Sequence, residues 1–488
     1  MKSILVILLA GLLLLCAIIV ARTVMHQPQT LGAVARVEVE LDEQIIGKHL
    51  SEAIRFKTVS FQNPENAQAA EFEAFIVWLA ATYPQVHQAM QLTRLGEHTL
   101  LYRWQGSEPA RQPILLTAHY DVVPVIPGSE ALWQHPPFSG EIVEGIIWGR
   151  GALDDKSAVI AQLEAATHLL QTGFIPKRTI YFSFGHDEEL GGGNGAANVT
   201  AALAEQNVQL AWSLDEGSFL FDGMLPGVEP LMAAINVAEK GSVTLNIVAK
   251  SAGGHSSMPP QQTAIGILAE AITALEANPI PGGLSGLSEQ MFDTASRYMP
   301  FTSRMFFANR WLFQSAVEEQ VSSSTFGNAM LRTTTAPTML SGSVKINVLP
   351  IEATVAVNFR VHPRDSVEDI VNHVRSVVAS ENVEVRLAGG AGRAASAVSS
   401  WDSVGYRVIE QSVREVFGDV VVTPGLMIAG SDSRHYGKVA DDAFRFNPFT
   451  LTQAELTGFH GTNEKISVAN LAQGTATYVR ILKLGGGQ

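Results

Sequence analysis

The hydrophobic pattern opens with Ile4 to Ala21, 18 positions without a charge. As a helix rising 1.5 Å per residue, this run reaches about 27 Å, close to the ~30 Å hydrocarbon core of a bilayer. Lys2 precedes the run and Arg22 closes it. No A-x-A cleavage site follows, and the run exceeds the roughly 7–15 residues of a signal-peptide core. Residues 1–21 therefore read as an uncleaved transmembrane signal anchor. Lys2 favours a cytoplasmic N-terminus with the remainder on the non-cytoplasmic side, periplasmic or lumenal/extracellular. Residues 22–38 carry Pro28 and Gly32 without a clear period and read as a tether.

Beyond residue 38 the pattern changes to that of a soluble body. Phe72, Phe75, Ile76, Leu79 and Ala80 recur at helical spacing and predict an amphipathic helix. Pro113–Ala118, Thr179–Phe184 and Val208–Leu214 are apolar, strand-length runs, and Ser157–Leu170 between the first two is helical and rich in Ala and Leu. Strands alternating with helices predict an α/β fold, a mostly parallel sheet covered on both faces. Ser242–Ala249, Val344–Leu349 and Ala353–Val361 read as strands, and Gln261–Ala277 and Val367–Val378 as helices. That order predicts a small α+β domain inserted into the larger one. The division is 39–238 and 391–488 for the main domain and 239–390 for the insertion. Within it, 278–340 is less regular and rich in Phe and Met. This stretch is either extra core or an apolar channel beside a lid.

The chain has 488 residues, 46% hydrophobic and 16% charged, which excludes a disordered solvating chain. A formal charge of −14 argues against a nucleic-acid partner. The one cysteine, Cys16, excludes intrachain disulfides, Cys-based zinc fingers and iron–sulfur clusters. Any metal must be held by His, Asp and Glu.

Such residues gather at the C-terminal ends of the expected strands, where open α/β sheets bind ligands. His119 and Asp121 share one strand face, so a carboxylate can accept the imidazole's second N–H and fix its tautomer. A plain surface pair has the same spacing. Asp154-Asp155 precedes an Ala-rich helix and is either an N-cap or a carboxylate bridging two cations. His186-Asp187-Glu188-Glu189 follows a strand, and its two Glu suit a division of labour. One binds metal while the other takes a proton from the attacking water. Asp215-Glu216-Gly217 ends the next strand, and His460-Gly461-Thr462-Asn463-Glu464 lies near the C-terminus. His119, Asp154, Glu189, Asp215 and His460 together make two imidazoles and three carboxylates. This donor set suits two Zn²⁺, with Co²⁺ or Mn²⁺ following the same ligand logic.

The stretches LLTAHYDVVPV, WQHPPFSGEIVEGIIWGRGALDDK, FGHDEELGG, SLDEG, GGHSSMPP, KINVLP and GFHGTNEKIS are similar to motifs of the dinuclear zinc peptidases. That family includes carboxypeptidase S, aminoacylase-1, acetylornithine deacetylase and succinyl-diaminopimelate desuccinylase. The motifs run in the family's order across most of residues 45–475. They point to the carboxypeptidase S branch, which includes enzymes that split and form N-fatty-acyl amino acids. The resemblance implies His119 and Asp215 on one zinc and Glu189 and His460 on the other. Asp154 would bridge, Glu188 would be the general base and Asp121 would orient His119. It further implies a cis peptide between Asp154 and Asp155 and a lid residue, His255, that polarises the scissile carbonyl. In dimeric relatives this His comes from the partner subunit, so a homodimer is one expected form. Asn347 and Arg360 match substrate-contacting positions, and Arg434 is a further candidate for gripping a substrate carboxylate. The expected activity is hydrolysis of an amide beside a free carboxylate, in a small peptide or an N-acyl amino acid. The alternatives are a reversible N-fatty-acyl amino acid hydrolase/synthase and a catalytically silent binding protein on the same fold.

Overall fold

The computed structural model describes residues 2–28, 34–66, 68–223, 225–390 and 392–487. Residues 29–33 of the expected tether lie outside these.

An eight-stranded sheet forms the centre. Its order is Gln91–Leu95, Thr99–Trp104, Ile180–Gly185, Ile114–His119, Leu210–Asp222, Ala440–Thr452, Met232–Glu239 and Val421–Met427. The middle four strands run parallel. Every residue of Ile114–His119 and Ile180–Gly185 is buried, as expected for strands covered on both faces. One covering layer is helical: Glu43–Ile54, Lys156–Gln171, Val404–Phe417 and Val468–Gly487 pack on one another. Their apolar sides join the strands in one large core. The other face carries Ala196–Glu205 and the short helix Ser433–Tyr436, with a smaller core around Leu115, Tyr181 and Leu203.

A second sheet, ordered Thr334–Ser341, Glu352–Val361, Gly241–Lys250 and Val383–Leu387, is antiparallel throughout. The helices Ala264–Ala277 and Val367–Val377 cover one face and share its separate core. Glu352–Val361 alternates between buried and less buried side chains, the signature of a sheet with one covered face. Two expectations fail in this region. Val344–Leu349 is a strand only at Val348–Leu349. Its alternating Val344 and Ile346 are almost fully exposed, because no surface lies opposite for them to cover. The stretch 278–340 is not irregular but largely helical, with helices Leu287–Ser296, Phe301–Ala308, Arg310–Ser322 and Thr325–Leu331. Leu287, Met291, Phe292, Val317 and Met330 join the core of the main sheet, not that of the second one.

The N-terminal apolar run forms a helix, Lys2–Met25, long and apolar enough to cross a membrane. It continues four residues into the expected tether, since nothing between Arg22 and Met25 breaks a helix.

Candidate metal centre

Five segments converge at the C-terminal edge of the parallel strands. His119 is the last residue of its strand, and Asp154 lies in the turn before the helix Lys156–Gln171. Glu188 and Glu189 open a 3-10 turn after Ile180–Gly185, Glu216 lies within Leu210–Asp222, and His460 follows Ala440–Thr452. Parallel strands end on one side of the sheet, so residues far apart in sequence meet there.

Asp154 is the centre of the arrangement. Its Oδ1 lies 3.1 Å from His119 Nε2 and its Oδ2 lies 3.0 Å from His460 Nε2. Glu216 Oε1 stands 3.5 Å from the same His119 nitrogen, and Glu189 Oε2 stands 3.4 Å from His460 Nε2. Two trios result, His119–Asp154–Glu216 and Asp154–Glu189–His460, each with donor atoms within 4.8 Å of one another. One carboxylate that gives an oxygen to each trio is the arrangement a bridging ligand requires. The buried Oε1 of Glu189 has no hydrogen-bond partner, and acids this close are costly without a cation among them. An all-N/O donor set of this kind fits zinc.

Asp215 differs from the expectation. The oxygen near His119 Nε2 comes from Glu216, at a point where the strand's register with Ala440–Thr452 shifts. Asp215 Oδ1 accepts instead from the Glu216 backbone N–H at 2.9 Å. The mere adjacency of the two acids gave no means of choosing between them.

Asp121 is fully buried and organises the site from behind. Its Oδ2 accepts from Ser60 Oγ at 2.7 Å, and its two oxygens accept the backbone N–H groups of Glu188 and Glu189. Its Oδ1 also lies 3.3 Å from His119 Nδ1, while the Asp121 carbonyl oxygen lies 3.0 Å from that nitrogen. One carboxylate thus sets the histidine and the turn that carries both glutamates. Burial, followed by repulsion from Glu216, raises the Glu188 carboxyl well above the ordinary range. Burial opposes charge on His119, but Glu216 and hydrogen bonds from Asp121 and Asp154 outweigh it and raise that imidazole. Hydrogen bonds from Asp154 and then Glu189 raise His460 to about 10.

Asp155 does not cap the helix it precedes. Its Oδ1 accepts from Asn447 Nδ2 at 2.9 Å, and Asn447 Oδ1 accepts from Tyr478 Oη. The Asp154–Asp155 peptide is cis. Sequence reasoning did not single out Glu464. Its Oε1 accepts from the backbone N–H groups of Gly151, Leu153 and Asp154 at 3.0, 2.8 and 3.1 Å. Its Oε2 pairs with the buried Arg150 guanidinium at 2.7 Å. The signal was present in the two quoted motifs that hold these residues, but not their meeting in space.

The remaining expected residues are not in the cluster. His255 is exposed on a two-residue strand, paired with Val348–Leu349, and its Nδ1 lies 2.8 Å from Ser257 Oγ. Asn347 sits beside it, since its carbonyl accepts the Ser256 N–H, and its buried Oδ1 has no partner. Arg360 is exposed near the other end of Glu352–Val361. Arg434 donates from both terminal nitrogens to protein carbonyls, Gly191 at 2.5 Å and Ser431 at 2.9 Å. That engagement holds the glycine-rich turn after Glu189, and Arg434 is not a free clamp.

Comparison with known proteins gives a consistent result. The model of "Peptidase family M20/M25/M40" matches residues 115–484. The chain is 38% identical over 442 residues to "Probable carboxypeptidase S-like 2" of Dictyostelium discoideum, covering 90% of this chain and 84% of that one. It is 37% identical over 469 residues to the mouse "N-fatty-acyl-amino acid synthase/hydrolase PM20D1", covering 94% and 92%. Among solved structures, an M20 family metallo-carboxypeptidase of Sulfolobus solfataricus shares the fold. Its TM-score is 0.65 at 18% identity, covering 91% of this chain and 99% of that one.

Proposed function

Because the chain belongs to peptidase family M20/M25/M40, we propose that it is a dinuclear zinc hydrolase held at a membrane by its N-terminal helix. Its type is the carboxypeptidase/aminoacylase amidohydrolase of that family. The substrate proposed is an amide beside a free carboxylate, in a small peptide or an N-acyl amino acid. The observation that carries this reading is the sharing of Asp154 between two donor trios, with Glu188 preceding Glu189 of the second trio in the chain.

His119, Asp154 and Glu216 would hold one ion, and Asp154, Glu189 and His460 the other. When bound, the ions supply Lewis acidity toward the scissile carbonyl and toward the attacking water. Glu188 takes the proton of that water and returns it to the leaving amine. Asp121 keeps His119 in the tautomer whose Nε2 faces the site. Arg360 and Asn347 are the groups proposed to meet the substrate's carboxylate end, and His255 its carbonyl, once the inserted domain closes on the site.

The near-complete coverage of the mouse relative supports a second reading, a reversible N-fatty-acyl amino acid hydrolase/synthase. One assay separates the readings. Full-length wild type and Glu188→Ala are compared for bound metal and for hydrolysis of dipeptides, N-acetyl amino acids and N-long-chain-acyl amino acids. Two zinc ions per chain in both proteins, with turnover reduced about 10²–10⁴-fold in the variant, is the expected result. Preference among the substrates decides between peptidase and acylase. A folded wild type without metal or turnover would favour the silent binding protein.

A further inference from the structure

The helical insert holds the end of the apolar helix. Asn309 Nδ2 donates to the Ile19 carbonyl and to Thr23 Oγ1, each at 3.2 Å. Arg22 Nε donates to the Ala308 carbonyl at 3.1 Å, and His26 Nε2 lies 2.9 Å from Ser296 Oγ. Ile19 lies two residues inside Ala21, about 3 Å along a helix axis from the end of the apolar run. A side chain bonded to its carbonyl therefore lies at the edge of whatever apolar medium holds that run. Large apolar residues near Asn309 in the chain stay exposed. Phe301, Phe306, Trp311 and Leu312 expose 43%, 39%, 57% and 45% of their surface. Beside them lies a cavity of about 470 Å³ lined by Arg22, His26, Glu289, Asp293, Arg297 and Arg310. Exposed aromatics next to charged groups, here with Arg297 paired to Asp293 and Arg310 to Glu289, are the composition of a membrane–water boundary.

We propose that the insert from Leu287 to Leu331 is a membrane-docking surface. It seats Phe301, Phe306, Trp311 and Leu312 in the non-cytoplasmic edge of the bilayer that the N-terminal helix spans. The charged cavity then stands at the level of the lipid headgroups. This rests on reading Lys2–Met25 as a retained anchor. The consequence is a two-point attachment, which fixes the tilt of the body over the membrane instead of leaving it free on a tether.

The test uses the full chain in phosphatidylcholine nanodiscs. An environment-sensitive NBD label is placed on native Cys16, or on Leu312→Cys or Phe301→Cys in a Cys16→Ser background. Each is challenged with lipids bearing a nitroxide on the acyl chain and with aqueous iodide. The expected result is nitroxide quenching and shielding from iodide at all three positions. Quenching at Cys16 alone, with both insert labels open to iodide, overturns the docking surface and leaves the anchor standing. Quenching at the insert positions but not at Cys16 removes the anchor and retains the surface. Iodide access at all three positions overturns both.

Discussion

Whether a residue holds metal here depends on which way one side chain points. Asp215 and Glu216 are adjacent acids, yet only Glu216 reaches His119 Nε2. Glu216→Ala is expected to lose most of one metal equivalent and nearly all turnover. Asp215→Asn is expected to keep both ions, since Asp215 is in neither donor trio, although its Oδ2 is also buried without a partner. Metal analysis of the two purified variants checks this, and the reverse ranking would restore Asp215 as the ligand. Asp121 shows how much one buried side chain can organise, since its contacts touch His119, Glu188 and Glu189 at once.

At the scale of elements, turns do much of the positioning. Glu464, in the loop that also carries His460, gathers the backbone N–H groups of the Asp154 turn and neutralises Arg150. Glu464→Gln strands a buried guanidinium. The expected cost is about 3–5 kcal/mol. Thermal unfolding should show a lowered Tm together with reduced metal retention, since the loop positions Asp154. A second prediction concerns Lys240, which links Met232–Glu239 of the main sheet to Gly241–Lys250 of the inserted one. Burial, opposed by Asp365 and reinforced by Arg360 and Arg364, brings its ammonium down to about 7 from 10.5. Between those values the unfolded chain holds a proton that the folded chain has lost, so this group makes stability rise with pH. The wild-type Tm should therefore climb more steeply from pH 7 to pH 10 than that of Lys240→Met. Parallel slopes would refute the assignment.

Over the whole molecule, acids concentrated at one point would tie the stability of the fold to the cations bound there. Asp154, Asp155, Asp215 and Glu216 are buried at or beside the shared cluster, with Glu188 and Glu189 half-buried there, in a chain of net charge −14. Removing metal with a chelator is expected to lower the Tm reversibly. Restoring zinc to about 1,000 times its dissociation constant should return roughly 4 kcal/mol. Calorimetry of chelated and reconstituted protein measures this. An unchanged Tm would mean that the cluster is stable without cations.

The apolar run, the parallel α/β centre and the inserted α+β unit were legible from the sequence, and so was the candidacy of His119, Asp154, Glu189 and His460, which the fold brings together. Each depends on local periodicity or on short runs of chemically distinctive side chains, which linear order preserves. Tertiary structure alone showed four other things: the approach of Glu216 to His119, the hydrogen bonds of Glu464, the commitment of Arg434 to backbone carbonyls, and the packing of 287–331 on the main core. Each is a question of direction or of a meeting across long sequence separation. Side-chain direction is set by strand register, and long-range contact by how the sheets and helices pack. Neither leaves a signature in the order of residues along one chain.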